Sequence, residues 1–138
     1  MTVKTAKHLI AAAKAQIEQL SPAEAAAELR RGDVLLVDLR ESGECSEQGN
    51  IAGAIHAPRG MLEFYADPTS AYFRPKFDPA RRTILYCASG GRSALATVTL
   101  QELGYTRVAH LEGGLNAWRE AGFGIEPEPM HGRNGPST

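Results

Sequence analysis

The chain has 138 residues, 43% of them hydrophobic and 22% charged, with a formal net charge of -1. That length and balance suit one soluble domain with a core of its own. They exclude a global electrostatic pull toward nucleic acid or anionic lipid. Two cysteines, Cys45 and Cys87, do not make a disulfide framework. No C-x-x-C or Cys/His cluster at metal spacing is present, so neither a metal nor a cofactor is implied. No apolar run approaches the roughly 18 residues of a spanning helix, and no secretory leader is legible. The expected location is the cytoplasm, with no membrane and no nucleic-acid partner.

Residues Ala6 to Leu20 read as an amphipathic helix, with apolar positions at Leu9, Ile10, Ala13, Ile17 and Leu20. Ser21-Pro22-Ala23-Glu24 is a helix start: Ser at the N-cap, Pro at N1, Glu closing a capping box. That helix runs to about Arg31 and stops at Gly32. Val34-Leu35-Leu36-Val37 is a continuous apolar run between aspartates, the pattern of a strand buried on both faces. Arg40 to Gly53 reads as loop with one helical turn, and Ala54–Ala57 as a short strand ended by Pro58. From Arg59 to Pro79 the chain is irregular, with three X-Pro steps and a helical turn at Met61–Tyr65. Its aromatics argue for packing rather than disorder.

Thr83–Tyr86 reads as a strand, Cys87 to Arg92 as a glycine-bearing loop, and Ser93 as the opening of a helix that ends at Gly104. Arg107–Leu111 is a further strand, and Leu115–Glu120 a last helix behind Gly113-Gly114. Apolar strand runs alternating with helices predict an open, mostly parallel sheet covered on both faces. In such sheets the reactive site lies beyond the carboxyl ends of the strands, where Cys87 falls. A cysteine in a tight turn feeding a helix N-terminus sits among amide groups that favour negative charge. That setting stabilises thiolate over thiol and makes a nucleophile.

Four segments resemble the signatures of the rhodanese-like sulfurtransferases, in particular the free-standing single-domain ones. They are Val37-Asp38-Leu39-Arg40-Glu41; Gly49 to Pro58; Cys87-Ala88-Ser89-Gly90-Gly91-Arg92-Ser93; and Leu111-Glu112-Gly113-Gly114-Leu115-Asn116-Ala117-Trp118. The resemblance implies an α/β fold with an open parallel five-stranded sheet and helices on both faces. It covers residues 21–124, leaving 1–20 as an N-terminal amphipathic helix extension and 125–138 as a flexible C-terminal tail. It also implies transfer of a sulfane sulfur, from thiosulfate or a related donor to cyanide or a thiol, through a persulfide on Cys87. Asn50 stands where many members carry His, and Asn cannot carry a proton at neutral pH.

Within that reading Cys87 is the catalytic residue. Ala88, Ser89, Gly90, Gly91, Arg92 and Ser93 bind substrate through a nest of loop amides, and Arg59 lines the pocket mouth. Gly90 and Gly91 supply backbone conformations closed to other residues. Asp38 and Arg40 are read as an ion pair supporting the loop. Arg92 has two readings: it faces the pocket, or it pairs with an acid such as Asp38. Ser93 is first a helix residue and second a hydroxyl within reach of the Cys87 sulfur. Cys45 reads as a small buried hydrophobe, and His56 and His110 as satisfied structural histidines. The partners are a small-molecule donor and acceptor, with a thiol protein as a further acceptor.

The same residues admit other functions. One is a persulfide carrier or regulatory module acting on a protein partner. Another is phosphate or arsenate chemistry, which uses a C-x5-R loop. Here four residues separate Cys87 from Arg92, a tighter bowl suited to a single sulfur.

Overall fold

The computed structural model describes residues 2–127. Five parallel strands form one sheet in the order β1-β5-β4-β2-β3. They are β1 (Glu18–Leu20), β2 (Leu35–Asp38), β3 (Ile55–His56), β4 (Thr83–Tyr86) and β5 (Val108–Leu111). The helices are α1 (Ala6–Lys14), α2 (Pro22–Arg31), α3 (Ser42–Gln48), α4 (Leu62–Ala66), α5 (Gly91–Glu102) and α6 (Gly114–Glu120).

The three central strands are buried throughout, and their side chains alternate between two cores. Leu35, Val37, Leu85 and Val108 meet Leu62, Ala96 and Leu100 of α4 and α5 on one face. Leu36, Ile84, Tyr86, Ala109 and Leu111 meet Ala25, Ala26, Leu115 and Trp118 of α2 and α6 on the other. The expected parallel sheet with helices on both faces is therefore present. Ser21 caps α2 with the anticipated capping box: its hydroxyl accepts from the Glu24 amide, while the Glu24 carboxylate accepts from the Ser21 amide.

The N-terminal segment differs from its expected course. The helix ends at Lys14, and Glu18–Leu20 forms the edge strand β1, paired with β5 in the register Glu18↔Ala109, Gln19↔His110, Leu20↔Leu111. Apolar spacing at Ile17 and Leu20 fits a helix, but edge pairing satisfies the backbone and Leu20 still reaches the core. The boundary drawn at residue 20 thus falls at the end of a strand of the sheet.

Two other segments are more ordered than read. Ser42–Gln48 is a helix of seven residues rather than one turn. At the start of the expected tail, Glu126 forms an antiparallel bridge with Asn50, its amide donating to the Asn50 carbonyl and its carbonyl accepting from the Asn50 amide. Residues 128–138 of that tail lie outside the described residues. In the long connection, Phe77 is buried and Tyr65 and Phe73 pack on the core, while Phe64 and Tyr72 stay exposed as an edge-to-face pair.

Candidate active site

Strand β4 ends at Tyr86 and α5 starts at Gly91, so Cys87 to Gly90 must turn the chain within four residues. Gly90 makes that turn at φ +105°, a left-handed conformation strained for any other residue. Gly91 has an ordinary helical backbone, contrary to its expected role. Its lack of a side chain makes room for Ile10 of α1, whose Cδ1 would lie 3.0 Å from a Cβ there. Helix α1 therefore closes over the loop.

The outer wall comes from α6. Its first amides, Leu115 and Asn116, donate to the carbonyls of Cys87 and Ala88 at 2.9 and 3.0 Å. Gly114 sits at φ +60°, and a Cβ there would run into the Cys87 carbonyl and the Ala88 backbone. The Gly113-Gly114 step is thus what lets a helix start be bolted to the loop.

The Cys87 side chain follows Tyr86 in strand alternation and points to the α5 side of the sheet. The residue is 1% exposed. Its sulfur accepts the Gly90 amide at 3.1 Å and lies 3.6 Å from the Ser93 hydroxyl. Among the expected loop amides, Gly90 is the one that reaches the sulfur itself. Ser93 is fully buried at the third position of α5, with its Oγ 2.8 Å from His110 Nδ1 and 3.3 Å from the Gly90 carbonyl. His110, also fully buried, lies with Nε2 3.0 Å from the Gln19 side-chain oxygen. Burial, reinforced by the charge of Lys14, pushes its imidazole down to about 4.

Arg92 pairs with an acid, the second of its two readings, but the acid is Glu44 rather than Asp38. Its guanidinium holds Glu44 of α3 in a two-pronged ion pair, at 2.7 and 2.9 Å. The hydrogen bond from Arg92 is the main force that draws the Glu44 carboxyl down to about 2. The same bond raises Arg92 above its ordinary value, with a smaller contribution from the Cys87 sulfur.

Asp38 and Arg40 lie on the opposite face as a buried ion pair. Arg40 donates its Nε and one terminal nitrogen to the two Asp38 oxygens at 3.0 and 2.7 Å. Tyr86, one residue before the nucleophile, donates its hydroxyl to Asp38 at 2.8 Å and accepts the Ile51 amide. Arg40 also donates to the Gly49 carbonyl at 2.6 Å. The cluster joins the ends of β2 and β4 to the segment after α3. Cys45 packs onto it, its sulfur 3.6 Å from Asp38, which makes it a polar contact as well as a small hydrophobe.

His56 is held on the Arg40 carbonyl at 2.6 Å. Asn50 keeps its side-chain nitrogen on the Ile51 carbonyl, and its buried oxygen has no partner among the described residues. Arg59 is not brought to the Cys87 loop. Its guanidinium is engaged by Glu63 and by Thr99, two turns along α5, in a groove of about 310 Å³ shared with Leu9 of α1 and Gln16 of the turn that follows it.

Sequence reasoning therefore missed four contributors: Gln19, Glu44, Gly114 and the position of His110. The strand register Leu85↔His110 puts His110 beside the strand that carries Cys87 and on its face, but only the folded register reveals it.

The model of the rhodanese-like domain matches residues 21–121 of this chain. The chain belongs to the rhodanese-like family. A sulfurtransferase of Allochromatium vinosum is 39% identical over 93 residues, covering 67% of this chain and 78% of that protein. Among solved structures, a Rhodopseudomonas palustris protein of unknown function, described as a possible tyrosine phosphatase, has TM-score 0.85 and 42% identity over 91% of this chain and 97% of its own. The polysulfide-sulfur transferase homodimer of Wolinella succinogenes superposes with TM-score 0.70 at 30% identity, covering 91% and 89% of the two chains. Among the described residues, no helix of this rhodanese-like domain is long and apolar enough to cross a membrane.

Proposed function

We propose that this rhodanese-like domain is a sulfurtransferase that takes a sulfane sulfur from thiosulfate, or a related donor, onto Cys87 and passes it to a thiophilic acceptor. The observation that carries the reading is the Cys87 sulfur at the N-terminus of α5, with the Gly90 amide directed at it. The Cys87 thiolate attacks the outer sulfur of thiosulfate; the new S–S bond forms as the old one breaks, and sulfite leaves with the electron pair. The persulfide anion then lies where the α5 N-terminus and the Ala88–Ser93 loop favour negative charge. Cyanide or a thiolate removes the outer sulfur and returns the Cys87 thiolate, a ping-pong sequence through a covalent intermediate.

Loop length argues against phosphoryl transfer. Four residues lie between Cys87 and Arg92, and the Arg92 guanidinium is engaged by Glu44 rather than turned with the loop amides toward one anion. The likeness to the Wolinella polysulfide-sulfur transferase favours polysulfide as a second donor of the same sulfane class. A reduced cytoplasm would keep the thiol available.

Intact mass after incubation with thiosulfate tests the reading. The wild type gains one sulfur, mapped to Cys87, while Cys87→Ser gains none and keeps its thermal midpoint. Sulfur on Cys45 in place of Cys87, or thiocyanate production by Cys87→Ser, overturns it.

A further inference from the structure

The sulfurtransferase reading leaves one question of protons open. A thiol must lose its hydrogen before it attacks, yet Cys87 is almost sealed from water at 1% exposure. The geometry points to a relay for that proton: we infer that His110 is the base for Cys87, acting through Ser93, with Gln19 fixing the imidazole.

The direction of each hydrogen bond follows from its end. The Gln19 side-chain oxygen can only accept, so the proton of His110 sits on Nε2 and Nδ1 offers a lone pair. Ser93 has one hydroxyl hydrogen, and Nδ1 at 2.8 Å outcompetes the Gly90 carbonyl at 3.3 Å for it. The lone pairs of Ser93 Oγ then face the Cys87 thiol, 3.6 Å away. The three groups form a chain from S–H to Oγ and from O–H to Nδ1, buried along its length. Moving both hydrogens one step leaves a thiolate, a serine hydroxyl that now donates to it, and an imidazolium. No atom or electron is gained or lost.

The surroundings set when this happens. Burial, reinforced by Lys14 on α1, keeps the imidazole neutral above about pH 4, so its Nδ1 lone pair carries no proton in the resting protein. Arg92, though held by Glu44, is close enough to the sulfur to interact with its charge, and it favours the thiolate. An arriving anionic donor adds the negative charge that makes a buried imidazolium tolerable. The N-terminal segment outside the matched domain thereby acquires a role: β1 supplies Gln19, and α1 supplies Lys14 and the cover over the loop.

The inference rests on the sulfurtransferase reading, and the experiment separates the two. The rate of single-turnover sulfur loading from thiosulfate, and independently the rate of Cys87 alkylation by the anion iodoacetate, are followed from pH 5.5 to about pH 9.5. Wild-type, His110→Gln and Ser93→Ala proteins are compared, each checked for its fold by circular dichroism. The wild type should run nearly flat. Each variant should be slower by about a hundredfold at neutral pH and gain about tenfold per pH unit, converging on the wild type as the thiol ionises unaided. The double variant should be no slower than either single one, because both break the same chain.

A uniform loss at every pH, or additive losses in the double variant, overturns the relay and leaves a structural role. Alkylation at Cys87 without sulfur loading defeats the sulfurtransferase reading instead, and the relay is then decided by the alkylation profiles alone. If His110→Gln does not fold, Ser93→Ala is the deciding variant.

Discussion

At the scale of single residues, charge at the loop is balanced rather than maximised. Arg92 is the cation of the helix that opens beside the nucleophile, yet Glu44 neutralises much of its field through two short hydrogen bonds. Both side chains are about a third exposed, so the pair is screened by solvent and adds little to stability. Its effect belongs to donor binding. Glu44→Gln leaves Arg92 uncompensated beside a site for a dianion. The KM for thiosulfate should fall about fivefold in low salt, in line with about 1 kcal/mol between partly screened charges, and the gain should shrink as ionic strength rises. Steady-state assays at two salt concentrations check this; a KM that is unchanged in both would show that Arg92 does not act on the donor.

At the scale of elements, the loop is shaped by the helix that follows β5 as much as by the one that follows Cys87. Gly114→Ala would force a methyl into the Cys87 and Ala88 carbonyls at a positive φ. We expect a loss of about 2–4 kcal/mol in urea unfolding, the sum of overpacking and backbone strain, with sulfur loading lost more steeply than stability because the distortion is centred on the nucleophile. A variant as active and as stable as the wild type would contradict this. The same contrast explains what the sequence made legible. The Ser21 capping box, the apolar strand runs and the Cys87 loop are local signals; the first two appear where they were read, and the loop is two residues shorter, because α5 opens at Gly91 rather than Ser93. Glu18–Leu20 was not legible as a strand, because its identity comes from pairing with residues about ninety positions away. That Arg92 pairs with an acid was legible, but Asp38 stood as the example, and only the placement of α3 selects Glu44. His110 was read correctly as buried and satisfied, but its neighbours are the product of sheet register and helix docking together.

At the scale of the whole molecule, the site makes folding sensitive to acid in two successive windows. His110 is neutral in the folded protein down to about pH 4, whereas in the unfolded chain it takes up a proton near 6.5. The unfolded state therefore binds more protons between those values, and stability falls as pH drops through the interval, by about 3 kcal/mol in all. Above about pH 7 this group has no effect, and below about 4 its cost is complete. Glu44 acts in the next window. Its carboxyl is held down to about 2 by Arg92, so its stabilisation is intact above about 4.5 and is lost as pH falls toward 2. Urea midpoints of the wild type and His110→Gln at pH 7.5, 6, 5 and 4 should converge, the wild type losing stability faster on acidification. If the two curves run parallel between pH 6.5 and 4, the imidazole is protonated in the fold as readily as outside it. In a domain whose reactive sulfur shares a hydrogen-bonded chain with that imidazole, the group that lowers acid stability is also the one whose neutrality leaves Ser93 facing the thiol.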